Sequence, residues 1–213
     1  MFSRNTVFVV GAGASSEADL PVGAQLATAI SQVLNFEVGR DGSVQSSDPV
    51  LWESLQQHLR NSADSQRLVP VAKQIAQCVQ RWKSIDNYID AHNDDELVGI
   101  LGKAGIVSTI LTAERNSRIY ADRSDGTDNF NFSKLTDTWY PVFCELLASG
   151  VKKSKVERIF DGISIICFNY DRCIEEYIDH WIRSAYGIGE QESRAIIGGL
   201  KKLQTLWWHR PAI

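Results

Sequence analysis

The sequence predicts an α/β fold: a Rossmann-like parallel sheet with a large helical insertion. Three observations predict it. Val7-Phe8-Val9-Val10 and Ile163-Ser164-Ile165-Ile166-Cys167-Phe168 are short runs rich in β-branched and aromatic residues, the pattern of buried strands. Each run passes directly into a turn and then into helical spacing, the order that builds parallel layers. The long stretch between them has mostly helical periodicity and is too long for a plain crossover. Residues 1–213 are therefore read as one domain, with a mostly helical insertion over 35–160. Two strands are few for a doubly wound sheet, so the sheet is expected to be incomplete.

Each element has its own signal. Leu26, Ile30, Val33 and Leu34 recur at helical spacing after Gly23, while residues 38–49 read as a polar loop. Leu51, Leu55 and Leu59 predict a short helix. Leu68, Val71, Ala72, Ile75, Val79 and Trp82 predict a longer one. Ser84-Ile85-Asp86-Asn87 marks a fresh helix start, with serine or aspartate available as cap. Leu97, Ile100, Leu101, Ala104, Val107 and Leu111 mark another helix. Residues 116–133 form a long polar loop, of the kind that often carries function. Trp139, Val142, Phe143, Leu146 and Leu147 predict a helix with Pro141 near its start. After the second strand, Ile174, Tyr177, Ile178, Trp181 and Ile182 share one helix face. Ile196, Ile197, Leu200 and Leu203 read as a last helical stretch. The ending Trp207-Trp208-His209-Arg210-Pro211-Ala212-Ile213 reads as a truncated chain, and exposed tryptophans there suggest a contact with further chain or another copy.

Composition excludes several function classes. The 213 residues are 44% hydrophobic, enough for a packed core, with 26 acidic against 22 basic side chains and a net charge of −4. That balance argues against nucleic-acid coating and membrane-surface binding, so neither partner is expected. No apolar run in the sequence reads as a membrane span or a signal peptide, and the expectation is a cytoplasmic protein. Cys78, Cys144, Cys167 and Cys173 form no C-x-x-C pair, so no metal is expected and the thiols read as small core residues. Lys152, Lys153, Lys155 and Arg158 form a basic cluster that reads as a solvated face.

Two turns carry the chemistry. Gly11-Ala12-Gly13-Ala14-Ser15-Ser16 follows the first strand, where glycines let a phosphate or pyrophosphate approach backbone N–H groups. Ser16 stands where a dinucleotide fingerprint has its third glycine, and no acidic residue ends a second strand about 20 residues on, so an ordinary dehydrogenase is excluded. Asn169-Tyr170-Asp171 ends the second strand, at the sheet edge where ligands of open α/β sheets sit. Asn169 offers a donor and an acceptor and Asp171 two acceptors, suited to ribose hydroxyls or a water. The alternative for either residue is capping of the helix that follows.

Taken together, these residues resemble the sirtuin-like NAD-consuming family. Val7–Ser15 is similar to its first strand and Gly-Ala-Gly-Ala-Ser loop, Pro21 to the proline after that loop, and Ile166–Asp171 to its strand and Asn-x-Asp signature. The Asn-Tyr-Asp form, followed by Arg172 and Glu175, resembles bacterial NAD hydrolases of antiphage defence, as do Ser84-Ile85-Asp86 and Lys103 through Glu114-Arg115. The sequence departs from the deacylase branch: Asp19-Leu20-Pro21-Val22-Gly23 lacks that branch's aspartate and arginine, and the zinc module is absent.

The resemblance implies NAD as substrate or ligand, bound by Gly11, Ala12, Gly13, Ala14, Ser15, Pro21, Asn169 and Asp171. It implies Asn169 and His209 as catalytic: Asn169 orienting ribose or water and His209 acting as general base, although the family's glycine after that histidine is Arg210 here. His92 ranks second to His209 and is expected in an exposed loop; His180 and His58 are expected on helix surfaces. The implied activity is NAD cleavage to nicotinamide and ADP-ribose in bacterial antiphage defence, with a homo-oligomer or a defence-system protein as partner. Two alternatives stay open: a catalytically inactive NAD- or nucleotide-sensing module, and an assembly scaffold.

Overall fold

The computed structural model describes residues 5–122 and 129–204, with no side chains described beyond 200. Residues 1–20 with 114–213 form one compact unit and residues 21–113 another. The chain is α/β, mostly helical with a small parallel sheet.

The first unit holds the sheet. Strand β1 (Thr6–Val10) pairs in parallel with β4 (Ile163–Cys167), which pairs in parallel with β5 (Lys201–Gln204), giving the order β1-β4-β5. Val10 stands opposite Cys167, so both strands end at the same edge. Ile163, Ile165 and Cys167 are buried, while the alternate positions Ser164 and Ile166 are half-buried. Val7 and Val9 are exposed on the face they share with Ser164 and Ile166. After β1 comes the four-residue helix α1 (Gly13–Ser16). Helix α7 (Trp139–Ala148) carries Phe143 edge-on against Phe8 of β1, with ring centres 5.0 Å apart. Helix α8 (Cys173–Tyr186) starts directly after the Asn169–Asp171 turn and buries Ile174, Tyr177, Ile178 and Ile182. It ends at Gly187, whose φ of 60° is the left-handed cap that glycine favours. Helix α9 (Glu190–Gly198) follows.

The second unit is helical. It contains α2 (Ala24–Leu34), a hairpin of β2 (Glu37–Val38) and β3 (Val44–Gln45), α3 (Pro49–Leu59), α4 (Leu68–Cys78), α5 (Ile85–Ala91) and most of α6 (Glu96–Asn116). Asp48 caps α3 through the Leu51 N–H, with Pro49 at the first position where its missing donor costs nothing. Ser84 caps α5 by accepting from the Asn87 N–H at 3.2 Å. Ile30, Leu34, Ile75 and Leu101 are fully buried, each such side chain contributing about 1.5–3 kcal/mol of hydrophobic stabilisation. Helix packing is close at Gly105, where an added Cβ would lie 3.1 Å from Ile30 and Leu34.

Several sequence expectations are corrected. The 38–49 loop contains the β2–β3 hairpin, turned by Asp41-Gly42 with Gly42 at φ 80°. The last helical stretch stops at Gly198, and Leu203 belongs to β5 opposite Ile166. By length and composition alone α6 is long and apolar enough to cross a membrane, and 44% of its apolar window is buried within the protein. His180 is no surface residue: it is 3% exposed, stacked on Phe130 at 4.1 Å, with Nε2 3.2 Å from Glu176 Oε1. His92 caps the end of α5 half-buried, stacked on Tyr88 at 4.3 Å, rather than standing in an exposed loop. His58 is exposed on α3, as expected.

Candidate functional site

The site forms because β1 and β4 are parallel neighbours. Their shared register brings the glycine turn after Val10 beside the Asn-Tyr-Asp turn after Cys167, and the Phe168 N–H donates to the Val10 carbonyl at 2.9 Å. Ser15 then joins the two turns. Its Oγ donates to Asp171 Oδ1 at 2.8 Å and accepts from Asn169 Nδ2 at 2.8 Å. Ser15, Asn169 and Asp171 are 1%, 3% and 5% exposed, so these are buried polar contacts whose loss leaves unsatisfied groups. Asp171 Oδ1 also accepts from the Cys173 N–H at 3.1 Å, so Asp171 both caps α8 and holds the loop.

Gly11, Ala12 and Gly13 form the exposed rim of this site. The turn closes on itself through Ala14 N–H to Gly11 O and Ser15 N–H to Ala12 O. Gly11 and Gly13 have no positive φ, and an added Cβ at either would meet nothing within 4 Å. Among the described residues, no contact and no backbone conformation demands glycine at either position. The Ser15 carbonyl accepts from Ala18 and Leu20, and Asp19 between them adopts φ 68°, a left-handed conformation that aspartate tolerates.

One buried polar atom in this cluster, Asn169 Oδ1, has no hydrogen-bond partner among the described residues. Burial, with Cys173 beside it, pushes the Tyr140 phenol far above its usual range, so it stays protonated. Burial and the neighbouring Asp171 likewise push the Cys173 thiol up, so it is no thiolate nucleophile. A cleft of about 460 Å³ opens beside the second turn, lined by Glu114, Tyr120, Asp122, Arg172, Cys173 and Glu176 among others. Arg172 is fastened to Glu114, its backbone N–H and Nε both donating to Oε1, at 2.8 and 3.2 Å. The N–H groups of Arg172 and Cys173, at the start of α8, are thus taken by the protein's own carboxylates, Glu114 and Asp171.

Of the sequence-predicted residues, the structure brings Ser15, Asn169 and Asp171 together beneath Gly11, Ala12, Gly13 and Ala14. Pro21 begins the other unit and is half-buried. His209 lies outside the described residues. No cluster of potential metal ligands occurs among the described residues. Sequence reasoning missed Trp139 and Arg118, both of which hold the segment that follows β1. Arg118 donates through Nη1 to the Glu17 carbonyl at 2.8 Å and also pairs with Asp137. Compared with models of known families, with curated proteins and with solved structures, the chain matches none.

Proposed function

We propose that the unit formed by residues 1–20 and 114–213 is a Rossmann-like, sirtuin-like domain that cleaves NAD to nicotinamide and ADP-ribose, as an effector of bacterial antiphage defence. One observation carries the reading. Two turns 154 residues apart in the chain meet at the carboxyl edge of two parallel strands, one with an open glycine backbone and the other with an amide and a carboxylate. That is where ligands of parallel sheets bind.

The chemistry follows from the bond broken. Water adds to the ribose carbon, the glycosidic C–N bond breaks, and its electron pair neutralises the pyridinium nitrogen of nicotinamide. A proton leaves the attacking water for a base, the role proposed for His209. Asn169 orients ribose or water with the acceptor Oδ1, which has no partner among the described residues. Asp171 already accepts from Ser15 and Cys173, which favours its role in holding the loop over a direct role with ribose.

A second reading, nucleotide binding without turnover, is favoured by one specific observation: Asn169 is 3% exposed and its amide nitrogen is committed to Ser15. Incubation of the full chain with NAD, read by liquid chromatography beside a binding titration, separates the two. Release of nicotinamide and ADP-ribose supports the hydrolase. Saturable binding without products supports the sensor. Absence of both overturns the functional proposal.

A further inference from the structure

The geometry points to Trp139, at the start of α7, as a positioning residue for the ligand-binding turn; this rests on the proposed function. Its indole Nε1 donates to the Ala14 carbonyl at 2.8 Å, and its backbone N–H donates to Glu17 Oε2 at 2.7 Å. One residue therefore grips the turn at two points on either side of Ser15. The Glu17 contact also satisfies the first orphan N–H of α7, so the test needs a readout on the ligand beside one on the fold. The indole is itself held in place: it packs against Tyr140 at 4.6 Å and Phe143 at 5.1 Å, and Phe143 packs on Phe8 of β1. Tyr140, next in sequence, is buried beside the same serine.

The consequence is mechanical. Gly11 and Gly13 give the turn freedom that an unsupported loop would spend in many conformations. A donor fixed by ring packing on β1's own neighbour ties Ala14 to the sheet, so the exposed backbone at Gly11–Gly13 is presented in one arrangement. Preorganisation of this kind acts mainly on ligand binding.

The test compares wild type with Trp139→Phe, which keeps an aromatic ring against Phe143 and removes the indole donor together with part of the indole's volume. KM for NAD rises by about fivefold, the effect of one lost neutral hydrogen bond, while kcat stays within about twofold. Amide hydrogen exchange quickens at residues 11–18 without ligand. Trp82→Phe in the helical unit is the control and changes neither. Should Trp139→Phe fail to fold, Glu17→Ala removes the second grip from an exposed position and carries the same expectation. An unchanged KM overturns the assignment, even where exchange rises. A wild-type chain that neither binds nor cleaves NAD overturns the functional proposal instead. Exchange at 11–18 then decides the clamp alone: faster exchange supports it and unchanged exchange overturns it.

Discussion

Ser15 Oγ lies 2.8 Å from Asp171 Oδ1, a buried hydrogen bond between residues 156 positions apart in the chain. It closes the turn after β1 onto the turn after β4, and Asn169 completes it by donating to the same hydroxyl. A serine hydroxyl can donate once and still accept, and here it does both.

Ser15→Ala removes a donor from Asp171 and an acceptor from Asn169 in a buried setting. The expected destabilisation is about 1–3 kcal/mol, measured as a shift in the urea midpoint. A change below about 0.5 kcal/mol, typical of a surface site, would show that this contact does not hold the turns together.

Gly11→Ala and Gly13→Ala separate ligand access from folding. Open space surrounds both positions, so the melting temperature should hold or rise slightly. NAD affinity should fall roughly tenfold or more, because the methyl stands where a ligand must approach. Titration of each variant beside its melting curve is the check; unaltered affinity would move the ligand away from this turn.

Buried thiols and phenols predict alkaline sensitivity. Burial pushes up the thiols of Cys144 and Cys173 and the phenol of Tyr140, and it raises the Tyr177 phenol to about 12. In the unfolded chain these groups lose protons near their ordinary values, about 8.5 and 10, while the native state keeps them. The unfolded state therefore binds fewer protons above those values, and stability falls as pH rises. The stabilisation is fully present at neutral pH and is lost progressively above about pH 8.5. Melting temperatures from pH 7 to 11 should be level and then decline; a level profile throughout would contradict the burial of these groups.

The same burial orders thiol reactivity. Cys78 is half-buried, whereas Cys144, Cys167 and Cys173 are buried. A thiol reagent at pH 8 should label Cys78 first and the others only on unfolding. Rapid labelling of Cys173 in the native protein would mean that the floor of the cleft beside Arg172 is open.

The parts of the fold visible in the sequence are those with strong local patterning. The β1 and β4 runs, the Ser84 cap and the α8 stripe needed no tertiary information. The β5 strand escaped because Lys201-Lys202 break its apolar run, as edge strands often do. The hairpin at 37–45 escaped although Asp41-Gly42 signals it, because each strand is only two residues long. The burial of His180 is not legible from its place on a helix, because its partner Phe130 comes from a distant loop and Glu176 from the preceding helix turn. Of the candidate site, Asn169 and Asp171 were legible from their position after a strand. That Ser15 would join them depends on the β1–β4 register, and that Trp139 would grip Ala14 depends on helix packing 125 residues away. Neither distance is encoded locally.

The central claim is that the Ser15–Asn169–Asp171 cluster serves NAD cleavage. Nicotinamide release from NAD by wild type and by Asn169→Ala, assayed side by side at matched folded concentration, tests it most directly. The account predicts release by the wild type and a loss of at least about a hundredfold in the variant, which still unfolds cooperatively. Turnover that survives in Asn169→Ala would contradict it.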